Sequence, residues 1–395
     1  MAIVVYGLTA TGCDLLFTGP PSDPDVFDAP VDGLTPEQLA VFARGDAEFG
    51  RRFSVVDGLG PIFNDASCAS CHSGDGRGRP ENILLRISRA GDPAVDVGGP
   101  QIQDRAIPGA IPETLPPGVD ISPRLPPPVF GVGLIEAIPT NAILANADEF
   151  DADGDGISGR PHWVTLPPFV PLTEPGAVAG LVLGRFSRKA QVGSLLQQVV
   201  EAYHQDIGIT TDFLPHENVN PQSPNVTQAA DQVADPELAA STVFAVLDYV
   251  RMLTSPAPAD DAPELVEGAQ LFRDVGCADC HIPTFTTGAH RIAALADREV
   301  VLYSDLLLHD MGEQLADNRP DGDATGREWR TTPLWGLRIA PDFLDGQMFL
   351  MHDGRARTIE EAVLLHGGEA EASRVAFMSL PLAHRDALLE FVRTR

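Results

Sequence analysis

Cys68-Ala69-Ser70-Cys71-His72 and Cys277-Ala278-Asp279-Cys280-His281 carry the reading of this chain. Each is a C-x-x-C-H pentapeptide, the attachment signature of a c-type haem. Chemistry explains the spacing. Two thiols add across the two vinyl groups of one porphyrin, and the next residue presents an imidazole to the iron. A paired C-x-x-C could instead hold one zinc or act as a redox dithiol. Two complete copies with no C-x-x-C left over favour two covalently bound haem c groups. Such attachment takes place outside the cytoplasm.

Working outward, the two motifs suggest a duplication. Gly268-Ala-Gln-Leu-Phe272 precedes the second motif with helical apolar spacing, and Gly45-Asp-Ala-Glu-Phe49 precedes the first with a longer connection. Helical periodicity recurs at Glu237–Leu253 and His384–Val392, each read as a closing helix. Thr254–Pro263 is a linker by composition. The expected fold is mainly α: two cytochrome c-like domains in tandem, at residues 35–258 and 259–395. The first carries a long loop-rich insertion at about residues 90–180, and loops of that length are usually functional.

The N-terminus is apolar and small up to Cys13, like the lipobox of a bacterial lipoprotein signal. Residues 1–13 are therefore read as a lipoprotein-type signal with lipidation at Cys13, and residues 14–34 as a flexible tether. A truncated signal with an incidental cysteine is the alternative. The expected location is the periplasm or cell envelope, with the membrane touched only through a lipid anchor. No apolar run reaches the roughly 18 residues of a membrane-spanning helix.

The 395 residues are 44% hydrophobic, enough for substantial cores, and carry a net charge of −29. Lys189 is the only lysine. This balance argues against nucleic acid, which needs a basic footprint, and suits small substrates, cations or a basic protein partner.

His72 and His281 are the motif ligands, so the sixth position at each iron decides between electron transfer and chemistry. Thr358 and Glu361 form a capping box, Gly367 stops the short helix that follows, and His366 lies in its last turn. Asp151-Ala-Asp153-Gly-Asp155-Gly-Ile157 matches the start of a calcium loop, with three carboxylates and the Ile157 carbonyl around one cation. The final glutamate of such loops is absent; His162 stands there, and Glu149 or Asp148 could substitute. The plainer reading is a polar turn.

His352-Asp-Gly-Arg355 followed by a short helix resembles the bacterial dihaem cytochrome c peroxidases and the MauG-type enzymes. More specific are Phe63-Asn-Asp-Ala-Ser-Cys68, Ala106-Ile-Pro-Gly109, Gly133-Leu-Ile-Glu-Ala-Ile-Pro139, Asp153–Arg160, Asp305-Leu-Leu-Leu-His-Asp-Met-Gly312, Gly326-Arg-Glu-Trp-Arg330 and His352–Glu369. These resemble the dihaem oxidoreductase family, also called thiol-oxidoreductase-like or dihaem peroxidases, from about residue 35 to 395. The thiol label carries little weight, since all four motif cysteines are consumed by haem.

The resemblance implies that the residue fourteen positions after His352, His366, is the distal ligand of the second haem. His309 is its main rival; hydrogen bonding near the pocket is the preferred role for His309 and His352. The first half carries a degenerate echo. Laying Ser194 on Thr358 puts Ala202 at the place of His366, and Ser88 stands where some relatives place a distal histidine. Haem 1 is then five-coordinate, with His204 as a rival ligand. The same relatives have a glutamate near Glu136, here expected as the acid–base residue with a raised pKa if buried. Its alternative is an ion pair with Arg105 or Arg160. Gln101 and Gln103 are candidates for the accompanying glutamine.

The function implied is electron entry through haem 2 from a redox protein donor and reduction of hydrogen peroxide or a similar small oxidant at haem 1. A non-catalytic electron-transfer cytochrome, or an accessory protein in iron or haem handling, is the alternative.

Overall fold

A computed structural model describes residues 26–72, 74, 76–259 and 263–395. Cys13 and the expected signal lie outside the described residues. The described helices are α1 (Pro36–Phe49), α2 (Cys68–Cys71), α3 (Val132–Ala137), α4 (Thr140–Leu144), α5 (Leu195–Ala202), α6 (Pro224–Ala230), α7 (Ala240–Met252), α8 (Pro263–Asp274), α9 (Ala340–Phe343), α10 (Ile359–Leu365), α11 (Glu371–Ser379) and α12 (Leu382–Arg393). Among the described residues, the strands form two-stranded antiparallel pairs. They are β1 (Ile62–Phe63) with β3 (Arg105–Ala106), β2 (Leu84–Ser88) with β4 (Asp120–Arg124), β5 (Trp163–Thr165) with β6 (Leu181–Leu183), β7 (Thr284–Thr286) with β8 (Glu299–Val301), and β9 (Leu308–Asp310) with β10 (Glu328–Arg330). The fold is α-rich, as expected, and none of the described helices is long and apolar enough to cross a membrane.

Two helix crossings organise the chain, α1 on α7 and α8 on α12. They are built alike. A side chain at Gly45 would collide with the Ala245 carbonyl and Tyr249, and one at Gly268 with the Ala387 carbonyl and Phe391. Glycine at each crossing lets two backbones meet closely, and the phenylalanine four residues on, Phe49 or Phe272, is buried beside it. Thr35 caps α1 with a complete capping box and Pro36 at its start, both favourable at a helix N-terminus. Thr358 caps α10 by accepting the Glu361 amide at 3.0 Å. The return arm differs from the expected box: Glu361 accepts the Arg357 amide, at 2.6 Å.

The larger apolar core is anchored by α3, α5 and α7 and also takes in Phe285, Leu295, Leu306, Trp335 and Ile339 from the second half. A smaller core joins α8, α11 and α12 around Phe272, Phe377 and Phe391. The second half therefore contributes to both. Residues 26–34, expected within a flexible tether, are packed instead. Phe27, Ala29 and Val31 are buried; the Val31 amide donates to Met252 O at 2.7 Å, and the Thr254 amide donates to Ala29 O at 2.9 Å. Phe27 stacks on Phe130 with ring centroids 4.6 Å apart. The alternating apolar residues of Val26–Val31 bury themselves against the end of α7, which composition alone did not reveal.

Candidate functional site

Each C-x-x-C-H motif opens onto its own cavity. The first, of about 410 Å³, is lined by Cys68, Cys71 and His72 on one side and by Leu195, Gln198, Val199 and Ala202 of α5 on the other. The second, of about 190 Å³, is lined by Cys277, Cys280 and His281, by Ile359, Ala362 and Val363 of α10, and by His366 at that helix's C-cap. The two helices expose matching positions: Leu195 with Ile359, Gln198 with Ala362, Val199 with Val363, Ala202 with His366. Ser194 caps α5 as Thr358 caps α10, so the register read from the sequence holds in space. The two cysteine pairs lie in separate cavities, which excludes one zinc held by all four.

The imidazoles are prepared as ligands. His72 Nδ1 faces the Gly76 carbonyl at 3.4 Å, His281 Nδ1 donates to Tyr303 O at 2.8 Å, and His366 Nδ1 donates to Ala362 O at 2.7 Å. Engaging Nδ1 sets the tautomer and leaves Nε2 for a metal. Burial pushes His72 and His281 down to about 4 and lowers His366 as well. All three rings are therefore neutral near pH 7, the ligating state.

His309 is not a comparable ligand. Its Nε2 meets Asp305 Oδ2 and its Nδ1 meets Glu369 Oε2, both at 2.8 Å. Burial alone would lower its pKa, but these carboxylates hold it well above the ordinary value, as an imidazolium. His352 stacks on Trp329, with centroids 3.7 Å apart and planes 9° apart. His204 Nε2 is turned to His216 O at 3.0 Å. Met311 and Met351 also line the second cavity. Of the tryptophans, Trp335 lines the first cavity and Trp329 the second, while Trp163 is 39% exposed on β5.

Glu136 departs from expectation. Its neighbour Ile135 lines the first cavity, while its own carboxylate accepts Arg251 Nε at 2.8 Å and Nη2 at 3.0 Å and meets His290 Nε2 at 3.4 Å. The expected partners Arg105 and Arg160 pair instead with Asp65 and Glu328. Burial alone would raise the Glu136 pKa, but the His290 hydrogen bond and the Arg251 charge outweigh it and hold the carboxyl below its usual value. The raised pKa expected from its apolar neighbours is thus corrected to a lowered one.

The first cavity holds a different set of polar groups. Glu201, beside Ala202 on α5, lines it together with Arg86, Gln101 and Asp206. Burial raises the Glu201 pKa, and a 2.9 Å hydrogen bond from Gln197 and the charge of Arg86 offset this only partly. Burial also pushes Asp206 up to about 6, against a 2.6 Å bond from Gln101 Nε2. Gln103 reaches away to Gln205 O. Glu201 was legible in the α5 register, one residue before Ala202, but a single acidic residue on an amphipathic helix ordinarily reads as solvent-facing.

In the aspartate loop, ligand atoms of Asp148, Asp151 and Asp153 lie within 4.8 Å of one another. Asp155 is outside this group and accepts the Ile157 amide at 2.8 Å. The structure thus adds Asp148 to the expected Asp151 and Asp153 and sets Asp155 apart from them; all four carboxylates also accept backbone amides of the loop.

A family model described as "Di-haem oxidoreductase, putative peroxidase" matches residues 10–89 and 114–395. The fold and its two histidine-lined cavities define a haem-binding redox protein. The chain belongs to the di-haem oxidoreductase family. No curated protein sequence matches it. A solved structure of Kuenenia stuttgartiensis hydrazine synthase, pressurized with 20 bar xenon, is similar at 16% identity over 100% of both chains with a TM-score of 0.36, too low to carry an argument. The residues present fit a haem in each cavity: two thiols beside a half-buried neutral imidazole, faced by apolar side chains of α5 or α10.

Proposed function

We propose that this protein is a dihaem c-type oxidoreductase that takes electrons from a redox protein at its second haem site and reduces hydrogen peroxide or a similar small oxidant at its first. The reading includes two tandem cytochrome c-like units, residues 35–258 and 259–395, a periplasmic or cell-envelope location, and a lipid anchor at Cys13. One observation carries it: the matching helices α5 and α10 offer Ala202 to one cavity and His366 to the other. Alanine cannot bind iron, so α5 would offer a first haem no ligand and leave room for a small molecule, whereas His281 and His366 would both be available to the second.

Cys68 and Cys71 would hold the first haem with His72, and Cys277 and Cys280 the second with His281 and His366. When bound, these groups supply one-electron transfer and an iron that accepts an oxygen ligand. The chain's own residues do the rest. Glu201, not Glu136, is the proton-handling group we assign, because it lines the first cavity and burial raises its pKa above the ordinary carboxylate value. Reduction of peroxide to water needs a proton moved between its oxygens, a task for a positioned acid–base group. Asp148, Asp151 and Asp153 are proposed to hold a calcium ion, three carboxylates so close being mutually repulsive without one.

The test is EPR of the holoprotein before and after peroxide, with intact mass measured under denaturing conditions. Mass should exceed the polypeptide by two haem groups, with one high-spin and one low-spin centre and the high-spin signal altered by peroxide. Two low-spin centres inert to peroxide in both the oxidised and half-reduced states would instead support an electron-transfer cytochrome.

A further inference from the structure

Arg77, Arg188 and Arg330 are 7%, 5% and 8% exposed. Among the described residues, no carboxylate lies within ion-pair distance of any of them. Their partners are carbonyls. Arg77 donates to Phe349 O at 3.3 Å, Arg188 to Leu125 O at 3.2 and 2.8 Å, and Arg330 to Ser187 O at 3.0 Å and Thr331 O at 3.2 Å. Arg185, 6% exposed, is likewise held by carbonyls, whereas Arg124 is paired with Asp321 and Arg251 with Glu136. The carboxylates that act on Arg330 and Arg188 from farther away, Asp305 and Asp353, are already engaged by His309 and Arg355.

Taking an unpaired cation out of water costs several kcal/mol even after relaxation. Three together add mutual repulsion. Burial pushes Arg77 and Arg330 down to about 10, and burial with the charges of Arg77, Arg330 and Arg124 pushes Arg188 well below the guanidinium range. A cluster of this kind calls for anions that the polypeptide does not supply. Its position says where they come from. Arg188 and Arg330, with Thr332 and Pro333, line both cavities; Arg77 lines the second and Arg185 the first.

We propose that Arg188 and Arg330 form one carboxylate-binding wall shared by the two haem sites, receiving propionate groups from both haems, with Arg77 serving the second site alone. The proposal rests on the reading that each cavity holds one haem. Guanidinium matches carboxylate with two parallel hydrogen bonds, and each haem brings two propionates to its cavity. A shared cation also ties the two reduction potentials together. Positive charge beside a haem favours its reduced form, so one arginine raises both potentials.

The experiment uses the holoprotein, first confirmed by mass to carry two haems, in spectroelectrochemical titrations of Arg330→Gln, Arg77→Gln and Arg330→Lys. Arg330→Gln should lower both midpoints, Arg77→Gln only that of the second, low-spin site, and Arg330→Lys should keep both near the wild-type values. A shift at one site alone, or none, in Arg330→Gln overturns the shared wall, as does an equal shift in Arg330→Lys. If Arg330→Gln yields no holoprotein, Arg77→Gln carries the test, and a lowered first-site midpoint there overturns the assignment. Wild-type protein lacking two haems would refute the two-haem reading itself, a distinct outcome.

Discussion

Glu136→Gln separates a structural carboxylate from a catalytic one. Arg251 is fully buried, and Glu136 is its best-aligned partner, through two hydrogen bonds of 2.8 and 3.0 Å. Removing one charge of a buried pair costs about 3–5 kcal/mol, because the other stays buried without it. Here Arg251 keeps Glu174 and, at 3.7 Å, Asp248, and glutamine retains an acceptor oxygen. The lower end applies, about 3 kcal/mol, or a Tm lower by roughly 4 °C in a chain of 395 residues. The pH dependence has a defined sign. A carboxyl held below its unfolded pKa stabilises the fold above that unfolded value and loses the contribution as pH falls through the folded value. The gap between wild type and variant should therefore be full at neutral pH and close in acid, below the ordinary glutamate range. Denaturant and thermal unfolding of the holoprotein across pH provide the assay, with peroxide turnover measured on the folded fraction. A variant as stable as wild type at neutral pH, with turnover slowed a hundredfold, would refute this reasoning and restore Glu136 as the acid–base group.

Glu201→Gln should leave both haem spectra intact and slow peroxide reduction by about 10²–10⁴-fold. Because burial raises the Glu201 pKa, the wild-type rate should fall on the acid side from above the usual glutamate range, and the variant should lose that limb. His366→Ala should turn the second haem from low to high spin by EPR and leave the first unchanged; His309→Ala giving that change instead would reverse the ligand assignment. Stripping calcium should lower Tm, since a ligand bound only to the folded state stabilises it, and Asp153→Asn should reproduce the effect; an unchanged Tm in calcium-free protein counts against the site.

How much was legible divides along the range of the interaction. The two pentapeptides, the Thr358 cap, the glycines at 45 and 268 and the Ser194–Thr358 register are local signals. A helix or motif repeats its partners every three or four residues, so adjacent letters state them. Side-chain pairing across the fold has no such period. Glu136 and Arg251 are 115 residues apart, and apolar neighbours in sequence promised burial without saying which cation would share it. Asp148 joins Asp151 and Asp153 through the course of the loop backbone, which the alternating aspartates alone do not state. Residues 26–34 read as tether until α7 offered its end. The unpaired arginines are the clearest case. No spacing in the sequence marks Arg77, Arg188 and Arg330 as one group, since they come from three distant segments. Only the tertiary fold brings them together along the two cavities, with no carboxylate of the described residues within ion-pair distance, and so makes them a candidate site.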